Sequence, residues 1–184
     1  MPITWITSLI GSLALIGTPF LAGFYSKDSI IEAVKFSNIP GSGFAYFAVM
    51  AGVFVTAFYS FRMYFLVFHG EERFGKADDD HHHEHHGDHD DEEVAHDHHH
   101  GLAPGEKPHE TPWVVTLPLV LLAIPSVVIG YLGIGPMVAG DFFKGVIHVD
   151  SQAHPALSMF LEHFHGAAAM GLHAFSTPPF YLAL

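Results

Sequence analysis

The sequence predicts an all-α membrane protein: about three transmembrane helices, the first broken near Pro19, the start of a fourth, and a disordered His/Asp-rich loop. Three observations carry this expectation. Charged residues make up 14% of the 184 residues and apolar ones 49%, whereas soluble domains hold roughly 25% charged residues. The charge is also local, because 12 of the 19 acidic residues lie between Glu71 and Asp97. What remains falls into apolar runs long enough to cross a bilayer core of ~30 Å, which takes about 20 helical residues.

Trp5 to Phe24 forms the first such run, and its helical pattern continues through Ile30, Ile31 and Val34 to Phe36. Straight, that element would span roughly 48 Å, too long for one upright crossing. Pro19 lies inside it, between Gly17 and Gly23, and a proline removes a backbone donor and clashes with the preceding turn. A broken helix is therefore expected there. Asn38-Ile39-Pro40-Gly41-Ser42-Gly43 is a turn signal. The second span runs from about Phe44 to Phe68, where Arg62 can snorkel and Tyr59, Tyr64 and Phe65 suit an aromatic belt.

From Glu71 to Glu110 the chain becomes polar, with ten of its 17 histidines between His81 and His100. Without apolar periodicity this reads as a disordered loop. The third span is Trp113 to Gly135, containing Pro118 and Pro125, which membrane helices tolerate. Beyond Pro136 comes an extramembrane or interfacial segment with a short helix near Ala156 to Ala169. Pro178 to Leu184 resembles the first turns of a fourth span that is cut off. The expected units are therefore 1–76 (broken helix and second span), 77–107 (the loop), 108–136 (third span), 137–172 (interfacial) and 173–184 (truncated span).

Composition excludes several function classes. The net charge of −12 belongs to one window and offers no basic surface for nucleic acid. With no cysteine, the chain itself supplies no disulfide, thiolate metal site or iron–sulfur ligation. No basic segment precedes the apolar stretch after Met1, which argues against a signal peptide. Phosphate-binding glycine loops, serine-nucleophile elbows and dinucleotide fingerprints are absent from the sequence.

The adjacent Lys27 and Asp28 are the leading candidates for chemistry. In a straight helix from Trp5, Lys27 would lie ~33 Å along and act as a headgroup anchor. A break near Pro19 would instead draw it into the apolar layer, at a cost of roughly 2.5–3.5 kcal/mol unless a partner or water offsets it. An ammonium taken out of water exchanges its proton more readily, so the pair could serve an ion or proton pathway. Arg62, Tyr59 and His69 divide evenly between interface anchoring and a place on a hydrated path. His81, His82, His83, His85 and His86 are weak metal candidates: imidazole is a common ligand, but this spacing specifies no geometry. Glu162, His163 and His165 read as a polar interfacial face. Arg62, Arg73, Lys76 and Lys107 on the loop side outnumber Lys35, Lys144 and Lys27 opposite, which favours a cytoplasmic loop.

Two motifs carry a family resemblance. Ser12-Leu13-Ala14-Leu15-Ile16-Gly17-Thr18-Pro19-Phe20-Leu21-Ala22-Gly23-Phe24-Tyr25-Ser26-Lys27-Asp28-Ser29-Ile30-Ile31 resembles the late antiporter-like segment of the NADH-quinone oxidoreductase subunit L family. Thr56-Ala57-Phe58-Tyr59-Ser60-Phe61-Arg62-Met63-Tyr64-Phe65-Leu66-Val67-Phe68-His69-Gly70 is similar to that family's next span. Pro108 to Gly133 is similar to the span after it, while Ala77 to Lys107 finds no counterpart. The resemblance implies a carboxyl-terminal-half fragment of a multi-pass subunit of the bacterial inner membrane, part of the proton-pumping respiratory NADH dehydrogenase (complex I). It implies a discontinuous helix and a proton-relay role for Lys27, with Asp28 beside it. The expected partners are the lipid bilayer and the other membrane subunits. FMN, iron–sulfur clusters and quinone are expected in other subunits, with no cofactor and no redox chemistry in this chain. A second reading, a zinc or nickel transporter with a His-rich cytoplasmic loop, lacks paired intramembrane His and Asp ligands before His69.

Overall fold

A computed structural model describes residues 1–71, 108–150 and 155–184, and every regular element among them is helical. Helix α1 spans Pro2–Ile16, α2 Ala22–Lys35, α3 Ser42–Phe68 and α4 Trp113–Ile134, which runs into a π-helical turn at Gly135–Ala139. Three short helices follow: α5 Ala156–His163, α6 Ala167–Ala174 and α7 Pro178–Ala183. Two of these are long and apolar enough to cross a membrane, α3 and the continuous element Trp113–Ala139; α1 is apolar but shorter. The His/Asp-rich loop, with His81, His82, His83, His85 and His86, lies outside the described residues.

The expected break between α1 and α2 has a defined cause. Gly17 takes the left-handed conformation (φ 88°), which a residue with a Cβ adopts only under strain. With Gly17 so placed, Thr18 N–H donates to the Leu13 carbonyl (3.0 Å) and Gly17 N–H to that of Ala14 (3.2 Å). This is a Schellman ending. Pro19 then sits in the turn rather than in a kinked helix, Leu21 N–H closes the turn on Thr18 (3.2 Å), and α2 starts afresh at Ala22.

Small residues set how closely the pieces pack. A Cβ built on Gly23 would stand 1.9 Å from the Ala14 carbonyl oxygen, so the first turn of α2 lies directly on the last turn of α1. A Cβ on Gly130 would lie 2.5 Å from the Ala22 Cα, so α4 meets α2 at the same level. Close backbone approach through glycine is how helices associate where burial in lipid drives little. Phe24 and Tyr25 of α2 join Ile134 and Ala174 in the buried core. The Tyr25 hydroxyl donates to the Ala167 carbonyl (3.2 Å), fixing α6 against α2.

The two long helices differ in what they bury. Along α3, Val53, Ala57, Ser60 and Tyr64 are buried, a stripe at helical spacing on a helix that packs against α1, α7 and α2. The most apolar stretch of α4 has none of its residues buried, and Val114, Leu117, Leu121, Leu122 and Ile124 are exposed. A helix apolar on all sides suits lipid or further helices as neighbours. Pro118 and Pro125 lie inside α4 without ending it. The single short helix expected near Ala156 to Ala169 is instead two, because Phe164 is extended and Gly166 turns at φ 103°.

Two contacts hold the ends of the His-rich loop to α1. The Trp5 indole N–H donates to His69 Nε2 (3.3 Å) just past α3. On the other side Glu110 accepts from the Thr4 hydroxyl and from the Ile3 N–H (2.9 Å). The Thr4 hydroxyl bond holds the Glu110 carboxyl below its ordinary range against the opposing effect of burial, with the Ile3 and Thr4 backbone N–H bonds adding to it.

Replacing Gly23 with alanine should destabilise the fold by about 1–3 kcal/mol, the usual cost of overpacking against backbone that cannot move aside. Gly52→Ala, with nothing within 4 Å of its Cβ, serves as the control; thermal unfolding in detergent compares the two. Because the Glu110 carboxyl sits low in the folded state, its clasp contributes fully above the unfolded glutamate pKa of about 4.3 and is lost as pH falls through the lower folded value. A spin-label distance between the loop end and the start of α1 should therefore hold from neutrality to mild acid and lengthen below it. Glu110→Gln should remove that transition.

Candidate functional site

The break leaves the last carbonyls of α1 without intrahelical donors, as every helix end does. Lys27, in the second turn of α2, reaches back across the break, and its ammonium donates to the Ile16 carbonyl at 2.8 Å. The negative end of the α1 dipole is a favourable place for a cation. Ile16 ends the 15 residues of α1, and the 14 of α2 follow after the turn. Nζ is thus held at the middle of the broken element, about 22 Å along α1, and not at its far end. The expected break near Pro19 is present, and Lys27 lies beside it.

Asp28 follows on the next face of α2 and is only 8% exposed. Both residues line one small cavity together with Ile16, Phe24, Ile31, Val53 and Phe180. Its volume is about 20 Å³, room for a single water. Among the described residues, Lys27 and Asp28 are its only ionisable lining groups, so a charge change on either meets little solvent screening. Asp28 also borders a second cavity, which Glu32 and His173 line with it.

The other sequence candidates lie elsewhere. Tyr59 and Arg62 are exposed on the outer face of α3 and do not meet Lys27. His69 is taken up by Trp5 and lies against the Tyr64 ring (5.7 Å between centroids). The polar side chains that α3 does turn inward are Ser60 and Tyr64, whose hydroxyl oxygens are buried without a hydrogen-bond partner among the described residues. Sequence reasoning missed Ser60 and took Tyr64 for a belt residue. Their spacing of four with Val53-Ala57 at the same register was the available signal. No group of three His, Asp or Glu side chains among the described residues could hold a metal ion.

Comparison with known proteins identifies the family. No protein-family model matches the chain. All 184 residues align at 60% identity with NADH-quinone oxidoreductase subunit L of Neisseria meningitidis serogroup A, and at 59% with that of serogroup B. The chain belongs to the NADH-quinone oxidoreductase subunit L family. It spans about a quarter of the length of those two relatives, 26%. More distant similarity extends to NAD(P)H-quinone oxidoreductase chain 5 of Picosynechococcus, 44% identical over 139 residues covering 73% of this chain and 18% of that protein. NADH-ubiquinone oxidoreductase chain 5 of Marchantia polymorpha is 35% identical over 132 residues, covering 72% of this chain and 16% of its own. As a subunit L segment, the chain carries an apolar broken helix in which the Lys27 ammonium is tied to the break itself.

Gly17 is the residue that permits this tie. Alanine there would have to adopt φ 88° and would bring its methyl within 3.1 Å of the Lys27 side chain. Gly17→Ala should cost about 1–2 kcal/mol for the left-handed conformation alone and loosen the Ile16–Lys27 bond. Unfolding in detergent measures the first effect, and accelerated reductive methylation of Lys27 the second.

Proposed function

We propose that this chain is the relay segment of a proton-translocating membrane subunit of NADH:quinone oxidoreductase, with Lys27 as the proton carrier and Asp28 as its adjacent acceptor. The observation that carries the reading is the Lys27 ammonium held at mid-element, in an apolar cavity with one carboxylate and room for one water. Burying a cation this way is unfavourable unless it does work, and intramembrane ionisable groups mark ion and proton paths. Lysine suits the task because its proton affinity responds to burial and neighbouring charge, whereas arginine keeps its proton.

On this reading the subunit couples quinone reduction elsewhere in the complex to proton movement here. The other membrane subunits and the lipid bilayer are its partners, and the exposed apolar surfaces of α3 and α4 are where it meets them. FMN, the iron–sulfur clusters and quinone belong to other subunits; this chain has no cysteine with which to ligate a cluster. The chain lies in the bacterial inner membrane. The excess of Lys and Arg beside the His-rich loop puts that loop on the cytoplasmic side. The turn between α2 and α3 then faces the opposite side.

Lys27→Ala in the full-length subunit should leave the complex assembled and lower proton pumping several-fold. Lys27→Arg should do the same, since it keeps the charge at the Ile16 carbonyl and gives up only the release of the proton. Pumping in proteoliposomes, measured by quenching of a pH-gradient dye, checks both. Wild-type pumping in the arginine variant would remove Lys27 from the path.

A further inference from the structure

Behind Asp28 lies a cavity of about 250 Å³, more than ten times the volume of the Lys27 cavity, and Asp28 borders both. Its other ionisable lining groups are Glu32, one turn on in α2, and His163, His165 and His173 from α5, the following turn and α6. Asp28 is buried, Glu32 half-buried and the three histidines exposed. The groups thus grade from dry to wet in one direction. Glu32 and His173 both act electrostatically on Asp28.

The histidines have a hydrogen-bonding pattern that suits them to proton transfer. His163 Nδ1 lies 2.8 Å from the Met159 carbonyl, which can only accept, so Nδ1 carries the hydrogen and Nε2 the lone pair in the neutral ring. Stacking on Phe36 holds the ring in place (5.6 Å between centroids). Ser176 gives its single hydroxyl hydrogen to the His173 carbonyl (2.7 Å), so toward His173 Nδ1 (3.4 Å) its oxygen can only accept. The tautomer of His173 with its hydrogen on Nδ1 suits this contact and leaves Nε2 without a hydrogen-bond partner among the described residues. A structural histidine commonly has both nitrogens engaged; these two keep the nitrogen that can take up a proton.

We propose that His163, His165 and His173 form the aqueous mouth of the Lys27–Asp28 path, with Glu32 bridging between Asp28 and the histidines. The inference rests on the relay proposed above and adds the outlet. The Lys27 ammonium gives one proton to the Asp28 carboxylate, leaving a neutral amine and a carboxylic acid. That acid passes the proton through the Glu32 carboxylate to a histidine Nε2 lone pair, which becomes imidazolium; the imidazolium releases it to water as hydronium. His163 stacks on Phe36 at the end of α2, beside the turn into α3. The mouth therefore opens at the end of the helices opposite the His-rich loop.

The test uses the assembled complex in proteoliposomes carrying H163Q, H165Q and H173Q together, E32Q, and K27R as reference, with protons pumped per NADH oxidised as readout. Pumping in the triple variant should fall several-fold, toward the level of K27R. Millimolar imidazole should restore it while leaving the wild type unchanged, because free imidazole replaces a missing proton carrier and not a missing structural contact. E32Q should lower pumping without imidazole rescue. Wild-type pumping in the triple variant, or a loss that imidazole does not relieve, would overturn the mouth. If K27R pumps normally, the relay falls and the mouth with it. If K27R fails while the triple variant pumps normally, the mouth alone is wrong.

Discussion

The bond from the Lys27 ammonium to the Ile16 carbonyl is the contact on which the rest of this structure depends. A helix that stops inside an apolar layer leaves carbonyls that neither water nor the helix can satisfy, at several kcal/mol each in hydrocarbon. The Schellman turn at Gly17 takes up the Leu13 and Ala14 carbonyls, and Lys27 takes Ile16. The charge is therefore part of what makes the break tolerable. Equally, the break makes the charge tolerable, since the end of the α1 dipole and a fixed carbonyl stand in for part of its lost hydration. Each feature offsets part of the cost of the other.

The surrounding elements keep that pair of compromises closed. Gly23 and Gly130 let α1, α2 and α4 approach at backbone distance around the break. Tyr25 then ties α6 across the top, and α7 supplies Phe180 and Thr177 to the cavity wall. Phe20, at φ 72°, rests its ring on Gly171 of α6. Positive φ in a bulky residue is costly, and here it aims an aromatic ring so that it caps the turn. The short helices after α4 are thus the lid over the broken element as well as a connection toward α7.

Much of this was legible in the sequence, and the reason is that breaks and spans have local causes. Gly17, Pro19 and Gly23 announce a helix end by steric rules that hold whatever packs nearby, and the apolar lengths of α3 and α4 follow from bilayer thickness alone. Where side chains point is a different matter. Tyr59 and Arg62 drew attention by being polar in an apolar run, yet the stripe at Val53, Ala57, Ser60 and Tyr64 decides which face of α3 turns inward. That face is set by α1, α2 and α7, and α7 lies far away in the chain. The grouping of Asp28 and Glu32 with His163, His165 and His173 was invisible for the same reason, since it exists only once α5 and α6 fold back on α2.

A carbonyl partner for Lys27 also has a consequence that a carboxylate partner would not. Had the ammonium been paired directly with a buried carboxylate, loss of its proton would leave an uncompensated charge, a disruption of about 3–5 kcal/mol. A neutral amine still has two N–H groups, and the Ile16 carbonyl accepts from either form. The break therefore keeps its satisfied carbonyl in both protonation states, and the helix geometry does not have to change as the proton moves. Asp28, set on the adjacent face with its own cavity, is left to respond to the charge without being needed to hold it in place. In the proposed relay, a site built this way would let the charge cycle within a rigid frame.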